Sequence, residues 1–183
     1  MMINNTGPGL FNRSRNRDKA NRPMMRPGLA PVDWLLEGIA MAGLLIFIGF
    51  VVYTYPKLPA MIPSHFDGAG KVDDYSARGS FWALPAIAFF IYCMMSLVAF
   101  IPHQLNFTVK ITPENALKQY TFAIRLIRYM KSVIILMFFD IAYSTANVAL
   151  KGGSGLGLWF MPIVLAGIFI PIIIYLVVAS KHR

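Results

Sequence analysis

Five side chains in one short stretch could do chemistry together: His65, Asp67, Asp73, Asp74 and Arg78. A neutral imidazole beside carboxylates suits a divalent metal such as zinc, with His65 and Asp73 as the ligand pair. The same two residues could serve as a base and its orienting acid. Nothing in the sequence supplies an oxyanion hole or a defined substrate, however, so a non-enzymatic role is preferred. The plainer alternative is structural: Asp67 and Asp73 cap turns, while His65 and Arg78 hydrogen-bond to pin the loop. The spacing matches no recognised metal motif, which leaves the structural reading ahead. A second set lies further on. Asp140, Tyr143, Ser144 and Asn147 follow i, i+3, i+4, i+7 spacing and share one helix face. A carboxylate at the bilayer centre costs roughly 2.5–3.5 kcal/mol or more, so Asp140 is expected to be protonated, watered or hydrogen-bonded across helices to Tyr92 or Ser96. Its functional alternative is a proton relay or a cation site.

The elements that must position these residues are membrane helices. Hydrophobic side chains make up 57% of the 183 residues, well above a soluble domain. Four apolar runs predict spans at about 35–55, 81–101, 132–150 and 157–179, so the fold class is an all-α integral membrane protein. The first run would reach about 31 Å as helix, enough for the hydrocarbon core. Asp33 and Glu37 lie one turn apart at its start, and Glu37 is placed in the headgroup zone. The first set of polar residues sits in the loop at 56–80, between spans one and two. There Pro56, Pro59 and Pro63 fix φ and remove amide donors, excluding ordinary helix and central strand. Asp67-Gly68-Ala69-Gly70 adds turn chemistry. A stiff, shaped loop is expected, with Pro59, Pro63 and Gly70 as organisers. Thr112-Pro113-Glu114 reads as a helix start, with Thr112 as N-cap. From it runs an amphipathic helix leading into the third span. Its polar face carries Glu114, Lys118, Thr121, Arg125 and Arg128, and its other face Leu117, Tyr120, Ile124 and Ile127. The plain reading is a solvated face with lipid contact on the other side; the functional alternative is docking of a cytosolic or membrane protein partner on Lys118, Arg125 and Arg128. Lys151-Gly152-Gly153-Ser154-Gly155 forms a tight turn before the fourth span, whose Pro171 predicts a kink.

Charge sets the orientation. Of the 17 Lys and Arg residues, thirteen fall in the N-terminal tail, the second loop with its helix, and the C-terminal tail. Only Lys57, Lys71, Arg78 and Lys151 fall on the other side. The positive-inside rule then places both termini in the cytoplasm and the proline-rich loop outside a cell membrane. Residues 1–33 are polar, basic and without an apolar period, and read as a disordered cytoplasmic tail before a four-helix membrane domain at 34–183. The net charge of +9 is assigned to this topology. Nucleic acid is not expected as a partner, since no aromatic platform is interleaved with the charges. The single cysteine, Cys93, excludes an intrachain disulfide framework.

Leu58-Pro59-x-x-Ile62-Pro63-x-His65-Phe66, followed by Gly70, Asp73 and Arg78, resembles the signature of a family of small prokaryotic membrane proteins, the domain of unknown function 1648 family. Leu105 to Ala116 resembles that family's second loop, and the likeness spans Leu35 to Ala123. The family is related to the immunity proteins against the sporulation-delaying peptide toxin, which are longer and carry additional spans. The usual family residue at position 78 is lysine. The resemblance implies a multi-pass binding, sensing or toxin-immunity protein whose outer loop engages an extracellular ligand such as a membrane-active peptide. The alternatives are a cation- or proton-linked transport component using Asp140 under a metal-binding loop, or a structural subunit of a membrane complex.

Overall fold

The computed structural model describes residues 19–182. Four helices in it are long and apolar enough to cross a membrane, and the chain is a multi-pass membrane protein. They are α1 (Pro31–Thr54), α2 (Ala83–Val98), α3 (Ala116–Lys151) and α4 (Phe160–Lys181). Between α1 and α2 stands a hairpin of β1 (Met61–Phe66) and β2 (Val72–Ala77). The all-helical architecture therefore carries one two-stranded sheet, and the four spans stand where hydropathy puts them.

Helix α1 begins four residues before its expected start because Pro31 fits the first helical position, where its missing donor is not needed. The Asp33 carboxylate reaches back to accept from the Ala30 amide at 2.9 Å. Helix α3 runs unbroken for 36 residues, about 54 Å, so it extends well beyond a bilayer core. Its start is three residues later than the Pro113 expected. The Asn115 side chain accepts from the Thr112 amide at 2.9 Å and donates to the Lys110 carbonyl at 3.0 Å. That folds 110–115 into a turn, and Asn115, rather than Thr112, stands before the first helical residue. At the far end Gly152 stops the helix, its amide still donating to Val148. Helix α4 continues helically through Pro171.

Helix α3 is the central post, packing against α1, α2, α4 and β1. Phe47 and Val51 of α1 are fully buried against it, and Phe139 meets Phe47 and Phe50 edge-on at 5.9 and 5.4 Å. Ile135, Ala142 and Ala146 complete this core with Ala88 of α2. Helix α4 is different: Ala179 is its one buried residue, and its apolar surface is left for lipid. It is held at its end by Gln119 of α3, whose Nε2 donates to the Ala179 and His182 carbonyls at 2.9 and 2.8 Å. These are orphan acceptors of a helix terminus.

The proline-rich stretch is more ordered than a loop. Pro56 lies in a short 3₁₀ turn, Tyr55–Lys57, and strand pairing starts at Met61 opposite Ala77. Pro63 sits inside β1 opposite Tyr75. A two-stranded sheet has only edges, so a residue without an amide proton is tolerated there. Pairing is irregular around Ser64 and Asp73, which fall out of register. Leu58, Ile62 and Phe81 plug the hairpin into the bundle core.

The segment 19–30, expected to belong to a disordered tail, packs on the turn at Pro102–Gln104. Lys19 Nζ donates to Gln104 O at 2.9 Å, and Arg22 Nη1 donates to His103 O and Leu105 O at 3.1 and 2.7 Å. Tyr120 donates to Pro23 O. Carbonyls left open by an irregular turn give these basic side chains a fixed seat. The remainder of the expected tail, 1–18, lies outside the described residues.

The hairpin tip is fastened to the loop between α3 and α4 by a backbone hydrogen bond and close backbone packing. Leu156 N donates to Gly70 O at 2.8 Å. A β-carbon on Gly70, whose φ is +75°, would lie 2.6 Å from Gly157 O. One on Gly155 (φ +101°) would strike Gly70 O. Gly70→Ala should therefore lower stability by about 1–3 kcal/mol, the scale of a strained backbone site. It should also speed hydrogen exchange at the Leu156 amide, both read on the full chain in detergent by thermal unfolding and exchange mass spectrometry.

Candidate functional site

The hairpin collects the first set of expected residues on its exposed side. His65 Nδ1 and Asp73 Oδ1 are 2.6 Å apart, with both side chains largely solvent-exposed. Asp67 closes the turn: its Oδ1 accepts from the amides of Ala69 and Lys71, each at 2.9 Å. Asp74 Oδ1 accepts from the Tyr75 amide at 2.8 Å. Arg78 N donates to Ala60 O at 2.9 Å, and its guanidinium lies over the Tyr55 ring at 5.5 Å. Pro59 is exposed in the approach to β1, whereas Pro63 and Gly70 are buried.

His65 and Asp73, the pair expected to hold a metal, stand as a pair. His65 and Asp73 are bonded to each other, and no third His, Cys, Asp or Glu among the described residues joins them. A closed zinc site needs four ligands, and a catalytic one needs three. Asp67 and Asp74 have carboxylate oxygens bonded to backbone amides instead. What the arrangement does offer is a shaped polar surface: Asp73, Asp74 and Tyr75 on β2, with Asp67 and Lys71 in the turn beside them, and a second strand edge that has no partner strand among the described residues.

The second set stays on one side of α3 but meets different surroundings. Ser144 is buried and Asn147 half-buried, but Asp140 and Tyr143 are exposed on the outside of the bundle. Tyr143 lies toward α1, its ring 6.0 Å from that of Phe50. Asp140 lies toward α4, in a cavity of about 370 Å³ walled by Val133, Leu136, Ile163 and Val164. Asp140 makes no bond to Tyr92 or Ser96, which lie at the level of Lys131, nine residues back along α3. Lys131 Nζ donates to Ser96 Oγ at 2.9 Å and sits 4.4 Å from the Tyr92 ring centre. A β-carbon on Gly167 would touch Val133 at 3.6 Å. Counting seven residues along each antiparallel helix puts Asp140 level with Phe160, the start of α4. Counting outward from Lys131 and Ser96 puts it near the first turn of α2 as well. The tryptophans just before those helices, Trp82 and Trp159, mark an interface. Asp140 therefore lies about 14 Å along the helix axis from the Lys131–Ser96 contact, toward the hairpin end of the bundle.

The structure adds a site that hydropathy does not reveal, at the opposite end. Asp33, 1% exposed, accepts from Arg125 Nε at 3.1 Å and Arg128 Nη1 at 2.9 Å. Glu37 accepts from Arg128 Nε at 3.1 Å and Lys131 Nζ at 2.5 Å. Lys131 is itself 1% exposed. Arg125 and Arg128, read as part of a solvated face with partner docking as the alternative, are thus committed within the chain, and of that trio Lys118 alone is exposed. The signal was present in spacing: acids at i, i+4 on one helix, bases at i, i+3, i+6 on another.

Among known proteins, residues 42–89 match the family described as Domain of unknown function (DUF1648). No curated protein and no solved structure matches the chain. The matched stretch runs from the middle of α1 through the whole hairpin into α2, about a quarter of the sequence, and over that stretch the chain is similar to this family. It includes the Asp67 turn. Asp67→Ala removes the acceptor of two amides and should cost about 1–3 kcal/mol of local stability. Trypsin should then cut at Lys71 at least several-fold faster, while Asp74→Ala leaves the rate near that of the parent protein.

Proposed function

We propose that this multi-pass membrane protein is a binding or sensing component of the peptide-toxin-immunity type, and that its hairpin engages an extracellular peptide. In this reading the chain lies in a prokaryotic cell membrane with both termini in the cytoplasm, as the distribution of Lys and Arg favours. The observation that carries the proposal is the hairpin's fixed display. It is plugged into the core through Leu58 and Ile62 and tied at its tip to the Gly155–Gly157 loop, yet it leaves Asp73, Asp74 and Tyr75 exposed. Preorganised acidic groups beside an open strand edge suit a cationic, membrane-active peptide that adds in extended form. A transport role for Asp140 draws less support, because the cavity in front of it is walled mostly by apolar side chains. A purely structural role would leave the exposed acidic surface without use.

The test is binding of a fluorescent cationic amphipathic peptide to the full chain in nanodiscs of neutral lipid. His65→Ala with Asp73→Ala should weaken binding at least about tenfold, the equivalent of 1.4 kcal/mol. Asp140→Asn should leave it unchanged. Unaltered binding in the hairpin variant, or loss of binding in Asp140→Asn, would contradict the proposal.

A further inference from the structure

At the end of the bundle remote from the hairpin, α1, α2 and α3 enclose a cavity of about 460 Å³. Its polar side is formed by Arg26, Arg128, Tyr92 and Ser96, and Glu37 also reaches it. Leu29, Ala99, Phe100 and Ile124 form much of the apolar side. We propose that this cavity seats the phosphate group of an anionic phospholipid.

The charge balance favours an anion. In the cluster at the cavity floor, the three cations Arg125, Arg128 and Lys131 face the two carboxylates of Asp33 and Glu37. Each Glu37 oxygen already accepts from a cation, Oε1 from Arg128 and Oε2 from Lys131, so the carboxylate is neutralised toward an incoming ligand. Arg128 uses Nε and Nη1 in the cluster, and its Nη2 has no partner among the described residues. Arg26 adds a further charge. Its guanidinium rests over the Phe100 ring at 5.4 Å and makes no ion pair among the described residues. Two guanidinium groups bordering one cavity are the donors that bind phosphate oxygens best.

The surroundings select an amphiphile over a free ion. The cavity opens where α2 ends at Val98, the level at which headgroups begin. Leu97, Phe100 and Ile101 are 61%, 55% and 45% exposed there and give acyl chains an apolar bed continuous with the cavity wall. Basic pockets between membrane helices hold acidic headgroups in this way.

The experiment uses the full chain in neutral detergent and reads its thermal unfolding midpoint during titration with short-chain phosphatidylglycerol, short-chain phosphatidylcholine or inorganic phosphate. Phosphatidylglycerol should raise the midpoint saturably, with the other two far less effective. Arg26→Ala should raise the half-saturating concentration at least about fivefold, as loss of one basic contact near a lipid surface implies. Ala99→Leu fills the cavity without altering any charge and should have the same effect, so it carries the test if Arg26→Ala does not fold. Lys118→Ala, on the exposed face of the same helix end, should leave the titration as it was. Equal stabilisation by phosphatidylcholine or by inorganic phosphate would overturn the assignment. So would an unchanged titration in Ala99→Leu and in a folded Arg26→Ala.

Discussion

The arrangement of helices depends on the ion-paired cluster joining α1 to α3. Between membrane helices there is little hydrophobic driving force, because lipid tails are as apolar as the side chains they would replace. Register must then come from packing and from polar contacts. Asp33 and Glu37, one turn apart, meet Arg125, Arg128 and Lys131, spaced three and three. Sliding α1 by one turn would leave a buried carboxylate or the fully buried Lys131 without its partner. An unpaired charge there costs several kcal/mol, far more than any loss of apolar contact along the smooth faces of Leu44 or Phe47. Lys131 also reaches Ser96 and Tyr92, so the same ammonium draws α2 into the assembly.

From that fixed register the hairpin end follows. Phe47, Val51 and Phe139 interlock only when α1 and α3 are aligned by the cluster. Their alignment sets the floor on which Leu58 and Ile62 rest, and the hairpin stands on it. The second fastening is glycine against glycine: Gly70 and the Gly155–Gly157 loop approach with no room for a side chain. Aiming an exposed His65–Asp73 pair therefore requires a buried cluster at one end and a backbone clasp at the other. The surface that could meet a ligand is rigid because it is held from below, and not because its own two strands are strong; an isolated hairpin is marginal in water.

The membrane helices were legible in the sequence because length and apolarity alone specify them. Proline and glycine chemistry rightly marked 56–80 as shaped, yet concealed its strands. Pro63 is a strand breaker everywhere except at an edge, and a sheet of two strands is all edge. The cluster at the other end was visible in parts. Asp33 and Glu37 read as an interfacial start and Arg125 with Arg128 as a solvated face, since each helix was judged alone. Complementary spacing on two elements becomes a contact only once their packing is known. Asp140 shows the same limit. Its spacing puts it on one side of α3 with Tyr143, but which neighbour each meets depends on packing: Asp140 lies toward α4 and Tyr143 toward α1. The final constraint is Gln119, whose amide caps α4 from a distance of 60 residues, beyond reach of any local pattern.

The most direct measurement is a double-mutant cycle between Glu37 and Lys131, read as unfolding free energy of the full chain in mixed micelles. Lys131→Met alone should cost about 1–3 kcal/mol, because Glu37 Oε2 loses its donor while Arg128 keeps Oε1, and adding Glu37→Gln should restore at least half of that loss. Costs that simply add, with no recovery in the double variant, would contradict a register set by this pair.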